Sequence, residues 1–176
     1  DPVFFGQLGV ADPTKSGSIA KAFEMIAHQK MHAAANSAGY QDDQIAVNEK
    51  RIEAYIKEAA KSYQRGDVPD DLTAYQAALE RGWEDGMALL QAIGANARYF
   101  TDSASKVPID VSMGDAAVGM AIDFYGRYQA QTSRGPDGED RMIYATVAGG
   151  SSMSCDPISL LRGAQHRELA VRFIEY

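Results

Sequence analysis

With one cysteine, Cys155, in 176 residues, the sequence excludes an internal disulfide. Histidine is scarce as well. The three present are His28, His32 and His166; the i, i+4 pair at 28 and 32 encloses Gln29, Lys30 and Met31, without the glutamate of a metalloprotease helix. No apolar run approaches the ~18 residues that a membrane span needs. Positive charge is the minority sign: 17 Lys and Arg face 24 Asp and Glu, and the net charge of -7 does not attract the phosphate backbone of nucleic acid. Asp1-Pro2-Val3-Phe4-Phe5 has no initiator methionine, basic n-region or signal-type apolar stretch, so the chain is expected to start partway through something longer.

Against these absences, 45% hydrophobic and 23% charged residues are the balance of an ordinary globular domain. Val3 to Ala11 is short, apolar and glycine-punctuated, as a buried strand is. After Asp12-Pro13, apolar residues at 19, 22, 23, 26 and 27 predict a helix to about Ala35, with Ser16 or Ser18 as N-cap. Residues 43–64 read as a second helix with Ile45, Ile52, Tyr55, Ile56, Ala59 and Tyr63 on one face, ended by Gly66 and Pro69. A third helix starts at Asp70-Asp71 and runs through Ile93, with Gly94 at C′ and a Tyr75, Leu79 and Trp83 stripe packed in the core.

Beyond it the texture changes. The pattern predicts a short strand at 97–100, a helix within 103–113 that starts or breaks near Pro108, and a buried parallel strand over 116–122. A helix over 124–131, a polar loop over 133–140, a strand over 142–147 and a flexible loop over 149–154 follow. The chain closes on a helix over 168–176 with Leu169, Val171, Phe173 and Ile174 inward. This alternation predicts an α/β fold: a mixed, mostly parallel sheet flanked by helices in a single lobe over 1–176, with a helical insertion over about 36–94.

Two segments carry chemistry. At Ala11 to Ser18 a strand turns into a helix, where backbone N–H groups lack intrahelical partners and the dipole adds partial positive charge. Thr14, Ser16, Gly17 and Ser18 there can cradle an anion, or Ser16 can simply cap the helix. The second is Asp123-Phe124-Tyr125, followed by Arg127 and Tyr128, at the end of a parallel strand, where open α/β sheets place ligands. A carboxylate and a phenol suit a polar solute or a hard cation such as ferric iron; alternatively Asp123 caps its helix and Phe124 packs in the core. Gly9-x-x-x-x-Thr14-Lys15-Ser16 falls one residue short of a phosphate-binding loop, and Pro13 removes one of the amides that such a loop needs. Cys155 has no base beside it, and Ser151-Ser152 lacks a nucleophile-elbow pattern. No catalytic set is assembled.

Ala11-Asp12-Pro13-Thr14-Lys15-Ser16-Gly17-Ser18, then Val111 to Arg127, then Asp156 to Ala164 with His166 to Ala170, resemble periplasmic solute-binding proteins of ABC importers. The similarity is to the ferric-iron-type cluster, which also holds binders of phosphorylated sugars and phosphonates, and it spans the chain apart from about 36–80. It implies a type II periplasmic binding fold of two lobes that close on the solute, of which this chain is similar to the second lobe. The first lobe and signal peptide would precede Asp1, with the rest of the first lobe after Tyr176. The implied partners are a small anionic solute, a membrane permease and the first lobe. The implied location is periplasmic or extracytoplasmic, with a lipid anchor in a Gram-positive organism. The resemblance puts the anion, the solute's own or a synergistic one, on Ser16, Gly17 and Ser18, with Thr14 at the edge. The family's ferric members use adjacent tyrosines where Asp123-Phe124-Tyr125 stands. Since a phenyl ring cannot ligate iron, Phe124 leaves only Tyr125 for Fe³⁺ as cargo; Asp123 instead offers an acceptor for hydroxyl or amino groups, which favours a polar organic solute with an anionic end. No resident cofactor and no catalysis are implied. Two other classes remain: a P-loop-like phosphotransferase using Lys15 and Asp123, and a scaffold in which both turns are only caps.

Overall fold

The computed structural model describes residues 4–62, 68–147, 151, 153 and 158–176. Val3, the expected helix end at Tyr63, Gln64 and Gly66, Cys155, Asp156, Pro157 and most of the 149–154 loop lie outside them. Two compact units result, Asp1–Ala145 and Thr146–Tyr176.

The first unit is α/β, with a small open sheet flanked by helices. Strands β1 (Leu8–Ala11), β2 (Ala97–Thr101) and β3 (Val118–Gly119) are parallel and lie in the order β2-β1-β3. Helices α1 (Gly17–Ser37), α2 (Asp42–Ser62) and α3 (Thr73–Ala95, opened by a 3-10 turn at Asp70–Leu72) all lie between β1 and β2 in sequence. Helix α4 (Lys106–Met113) leads from β2 to β3, and α5 (Asp123–Thr132) follows β3.

The pleat sends alternate residues to opposite faces. A Cβ on Gly9 would meet Tyr99 first and then Val107, and one on Gly119 would meet Val107 and Val111, so these two glycines let α4 lie close on the sheet. Val10, Ala11, Ile19 and Val107 form the buried centre, joined by Leu8, Phe23 and Ile93. A second core joins Ala35, Ile45 and Tyr75, with Tyr40 edge-on to Tyr75 at 5.0 Å. Burial, helped by the charge of Glu49, pushes the Tyr75 phenol up to about 12.

Helices α1 and α3 pack through small residues. Ala78, Gly82 and Gly86 are buried at i, i+4 and i+8 along α3, and Gly82 rests on the backbone of Lys30 and Met31. This corrects the expected core stripe: Tyr75 is buried, but Trp83 is 49% exposed, because the contact face is chosen for closeness rather than size. Gly94 is not C′ either. The helix runs on to an Asn96 cap, whose side-chain amide donates to the Ala92 carbonyl at 2.8 Å.

Other boundaries differ for identifiable reasons. β1 starts at Leu8, and Phe4 and Phe5 are exposed. The strand expected over 116–122 pairs only at Val118–Gly119, both exposed, since Ile122 already serves as N-cap of α5. Residues 142–147 form no strand; the Tyr144 ring lies instead against Gly126 of α5. Pro108 stands at the third position of α4, where the missing N–H costs no helical bond. In the second unit, α6 (Arg167–Glu175) forms as expected, but Leu169, Phe173 and Ile174 are exposed rather than inward, and no residue of the helix is buried.

Candidate functional site

In the order β2-β1-β3 the first and third strands are neighbours, and their C-terminal ends lie side by side on one edge of the sheet, the edge at which open α/β sheets place ligands. Here those ends carry the Ala11–Ser18 and Met120–Tyr125 turns. The two segments singled out in the sequence thus flank one edge position.

The first turn is built by Asp12. Its carboxylate accepts from Thr14 N–H at 2.8 Å and Thr14 Oγ1 at 2.7 Å, and its carbonyl accepts from the N–H groups of Lys15 and Ser16, both at 2.9 Å. The Thr14 hydroxyl and then the Thr14 amide, with a lesser contribution from the charge of Lys15, hold the Asp12 carboxyl below its ordinary range against the opposing effect of burial. Asp12 N–H donates to Thr101 at 2.7 Å and ties the turn to β2. The amides of Thr14, Lys15 and Ser16 are therefore consumed inside the turn.

Ser16 occupies the N-cap position but makes no side-chain capping bond. Its Oγ lies 3.0 Å from Ser18 Oγ instead, and Ser16 is buried. The N–H groups of Gly17, Ser18 and Ile19, the first turn of α1, keep no acceptor among the described residues. A Cβ on Gly17 would meet nothing within 4 Å, so the approach to these amides is open. Thr14 and Lys15 are exposed at the rim.

Asp123 begins α5 but does not cap it; Ile122 is the N-cap residue. Its Oδ2 pairs with Arg127 Nε at 3.2 Å, and the Arg127 guanidinium lies 4.7 Å from the Tyr144 ring centroid. Phe124 is half-exposed rather than packed in the core, and its ring sits 4.2 Å from that of Tyr125.

A third segment escaped the sequence reading. Thr101-Asp102-Ser103-Ala104-Ser105 leads from β2 into α4 on the same edge, and the Ser103 and Ser105 hydroxyls lie 2.8 Å apart. Its signal was available: an aspartate, then two serines one residue apart before a helix, repeats the Asp12 to Ser18 pattern. Behind it, Lys106 donates to the buried Asp110. Burial raises the Asp110 pKa, but the Lys106 bond, the neighbouring Tyr99 and the Lys106 charge outweigh it and leave the pKa lowered. Of these, Lys106 matters most, because the buried Tyr99 hydroxyl makes no hydrogen bond among the described residues.

The remaining candidates carry little. His28 and His32 sit on a solvated face beside Glu24 and Asp42. Among the described residues no three His, Cys, Asp or Glu side chains are grouped to hold a metal, and no helix is long and apolar enough to cross a membrane. A cleft of about 330 Å³ lies between α1 and α3 near Lys30 and Arg81; one of about 560 Å³ lies at the opposite sheet end, near Gln7 and Ala116. Neither includes the turns described above. No protein-family model matches the chain, and no curated protein or solved structure gives a significant match.

Proposed function

We propose that this chain is a solute-binding lobe of an ABC importer, one lobe of a type II periplasmic binding fold acting outside the cytoplasm. It holds the anionic end of a small organic solute at the start of α1. A first lobe closes over the solute, and a membrane permease receives it. The observation that carries the reading is at Ser16: its hydroxyl turns to Ser18 instead of capping, so three amides and the remaining hydroxyl proton of the serine pair are left for a ligand at the C-terminal edge of the sheet. Contacts made only in the closed form would shift the open–closed equilibrium, which is how such a site transports without chemistry.

The same inventory weighs against the phosphotransferase reading. A phosphate-wrapping loop needs several amides aimed at the ligand, and here those of residues 14–16 are spent on Asp12. Ferric cargo is also disfavoured, since Phe124 offers no oxygen and Asp123 is paired with Arg127.

Thermal shifts against sugar phosphates, phosphonates, inorganic phosphate, ferric citrate and MgATP test the reading. The expected result is stabilisation by one phosphate-bearing solute, lost in the Ser16→Ala, Ser18→Ala double variant. Stabilisation by MgATP alone, lost on Lys15→Ala, would contradict it.

A further inference from the structure

Beyond β3 the sheet is open. β3 pairs with β1 on one side and carries no ladder on the other among the described residues. The chain after α5 is patterned as a strand yet forms none. Met142 and Tyr144 are half-buried while Ile143 and Ala145 are exposed, the alternation of a strand with one covered face. The Tyr144 ring lies against Gly126 with the Arg127 guanidinium 4.7 Å from its centroid, which holds the segment on α5.

The placement of this segment suits pairing. Helices α4 and α5 pack on one another, with Gln129 donating to Ser112 at 2.8 Å, and so share one face of the sheet. Gly119 is on that face, since a Cβ there would meet Val107 and Val111 of α4. Val118, one residue away, belongs to the opposite face, and so does Ile143, one residue from the α5-facing Tyr144. Both are uncovered: Val118 is 48% exposed and Ile143 84%. Asp140, Arg141, Met142 and Ile143 share the cleft of about 560 Å³ with Ala116 and Ala117, which lead into β3. The segment therefore starts at the sheet end where a strand parallel to β3 has to start.

We propose that residues 142–145 are a strap with two positions: the open one seen in the structure, and a closed one in which they pair with the free edge of β3 as a fourth parallel strand. Helix α5 and the loop after it supply the dozen or more residues that a parallel crossover needs. Closure satisfies an edge that is otherwise left to solvent and brings Ile143 onto Val118, taking both side chains out of water. Tyr144 faces α5 in both positions, so the strap swings about its ring. The exchange trades solvated edge groups for one short ladder and one apolar pair, a difference small enough for a two-state element. The strap controls access to the cleft near Gln7 and Ala116, and it stands apart from the anion site at the other end of the strands.

Disulfide trapping in the full chain, with Cys155→Ser to remove the native thiol, tests this. A bridge needs Cα atoms about 4.4–6.8 Å apart, and neighbouring strands lie ~4.8 Å apart. The Val118→Cys, Ile143→Cys pair is expected to close at least about tenfold faster than Val118→Cys with Met142→Cys, because a step of one residue turns the side chain to the other face. In the trapped protein the strap amides that face β3 should exchange with solvent at least about tenfold more slowly than in the same protein reduced. Equal closure rates for the two pairs, closure of neither, or a trapped strap whose amides exchange as fast as in the reduced protein would overturn the proposal.

Discussion

Gly82 of α3 lies against the backbone of Met31 of α1, close enough that a Cβ at position 82 would sit 2.7 Å from the Met31 nitrogen and 2.6 Å from the Lys30 carbonyl oxygen. This contact fixes how near the two long helices approach. It involves backbone on the α1 side, so no side-chain rotation can relieve a substitution.

Gly82→Ala is therefore expected to destabilise the chain by about 2–3 kcal/mol, as overpacking of a close contact does. Gly94→Ala is the control. It lies inside α3, meets nothing within 4 Å, and should stabilise by about 0.5–1 kcal/mol through helix propensity. Urea unfolding followed by circular dichroism separates the two; Trp83 is too exposed to report faithfully.

The Asp110 carboxylate is buried and its folded pKa lies below the ordinary 3.8. A lowered folded pKa means stability that is full above 3.8 and lost as pH falls through the folded value. Asp110→Asn should cost about 1–2 kcal/mol at neutral pH, less than a fully buried pair because the Lys106 amine is half in water. The wild type and variant should converge in acid. Unfolding curves from pH 7 to below pH 3 check the sign; a gap that widens on acidification would contradict it.

Asp12 gives a purely local prediction. Its pKa is lowered first by the Thr14 hydroxyl, so Thr14→Ala should bring it back towards 3.8. Carbon-13 titration of the carboxyl reads this directly.

Much of the fold was legible because helices announce themselves. Periodic apolar residues and turn chemistry placed α1, α2, α3 and α5 within a few residues, and strand composition found β1 and β2. What was not legible depends on partners. The 116–122 segment has the composition of a buried strand, yet only two residues pair, because α5 starts immediately after. The 142–147 alternation is left unpaired among the described residues. The α1–α3 contact escaped because hydrophobic periodicity weights large side chains such as Trp83, whereas this interface is made by Gly82 and Gly86. At the site, Ser16 was rightly placed at a helix start, but only geometry shows that its hydroxyl is not used as a cap. The pairing of Asp123 with Arg127 was present in the i, i+4 spacing and went unread.

Gly17→Ala isolates ligand approach from folding. Its Cβ would enter open space, so unfolding should change little, while an anion seated on the amides would meet the new methyl and bind more weakly. Equal phosphate affinity in wild type and variant would place the anion elsewhere.

The most direct measurement is an amide-shift titration of the chain with inorganic phosphate. The account predicts that Gly17, Ser18 and Ile19 move together and saturably, while the amides of Thr14, Lys15 and Ser16, already bonded to Asp12, move little. Saturable shifts confined to the cleft around Gln7 and Ala116, or no saturable shift at all, would contradict it.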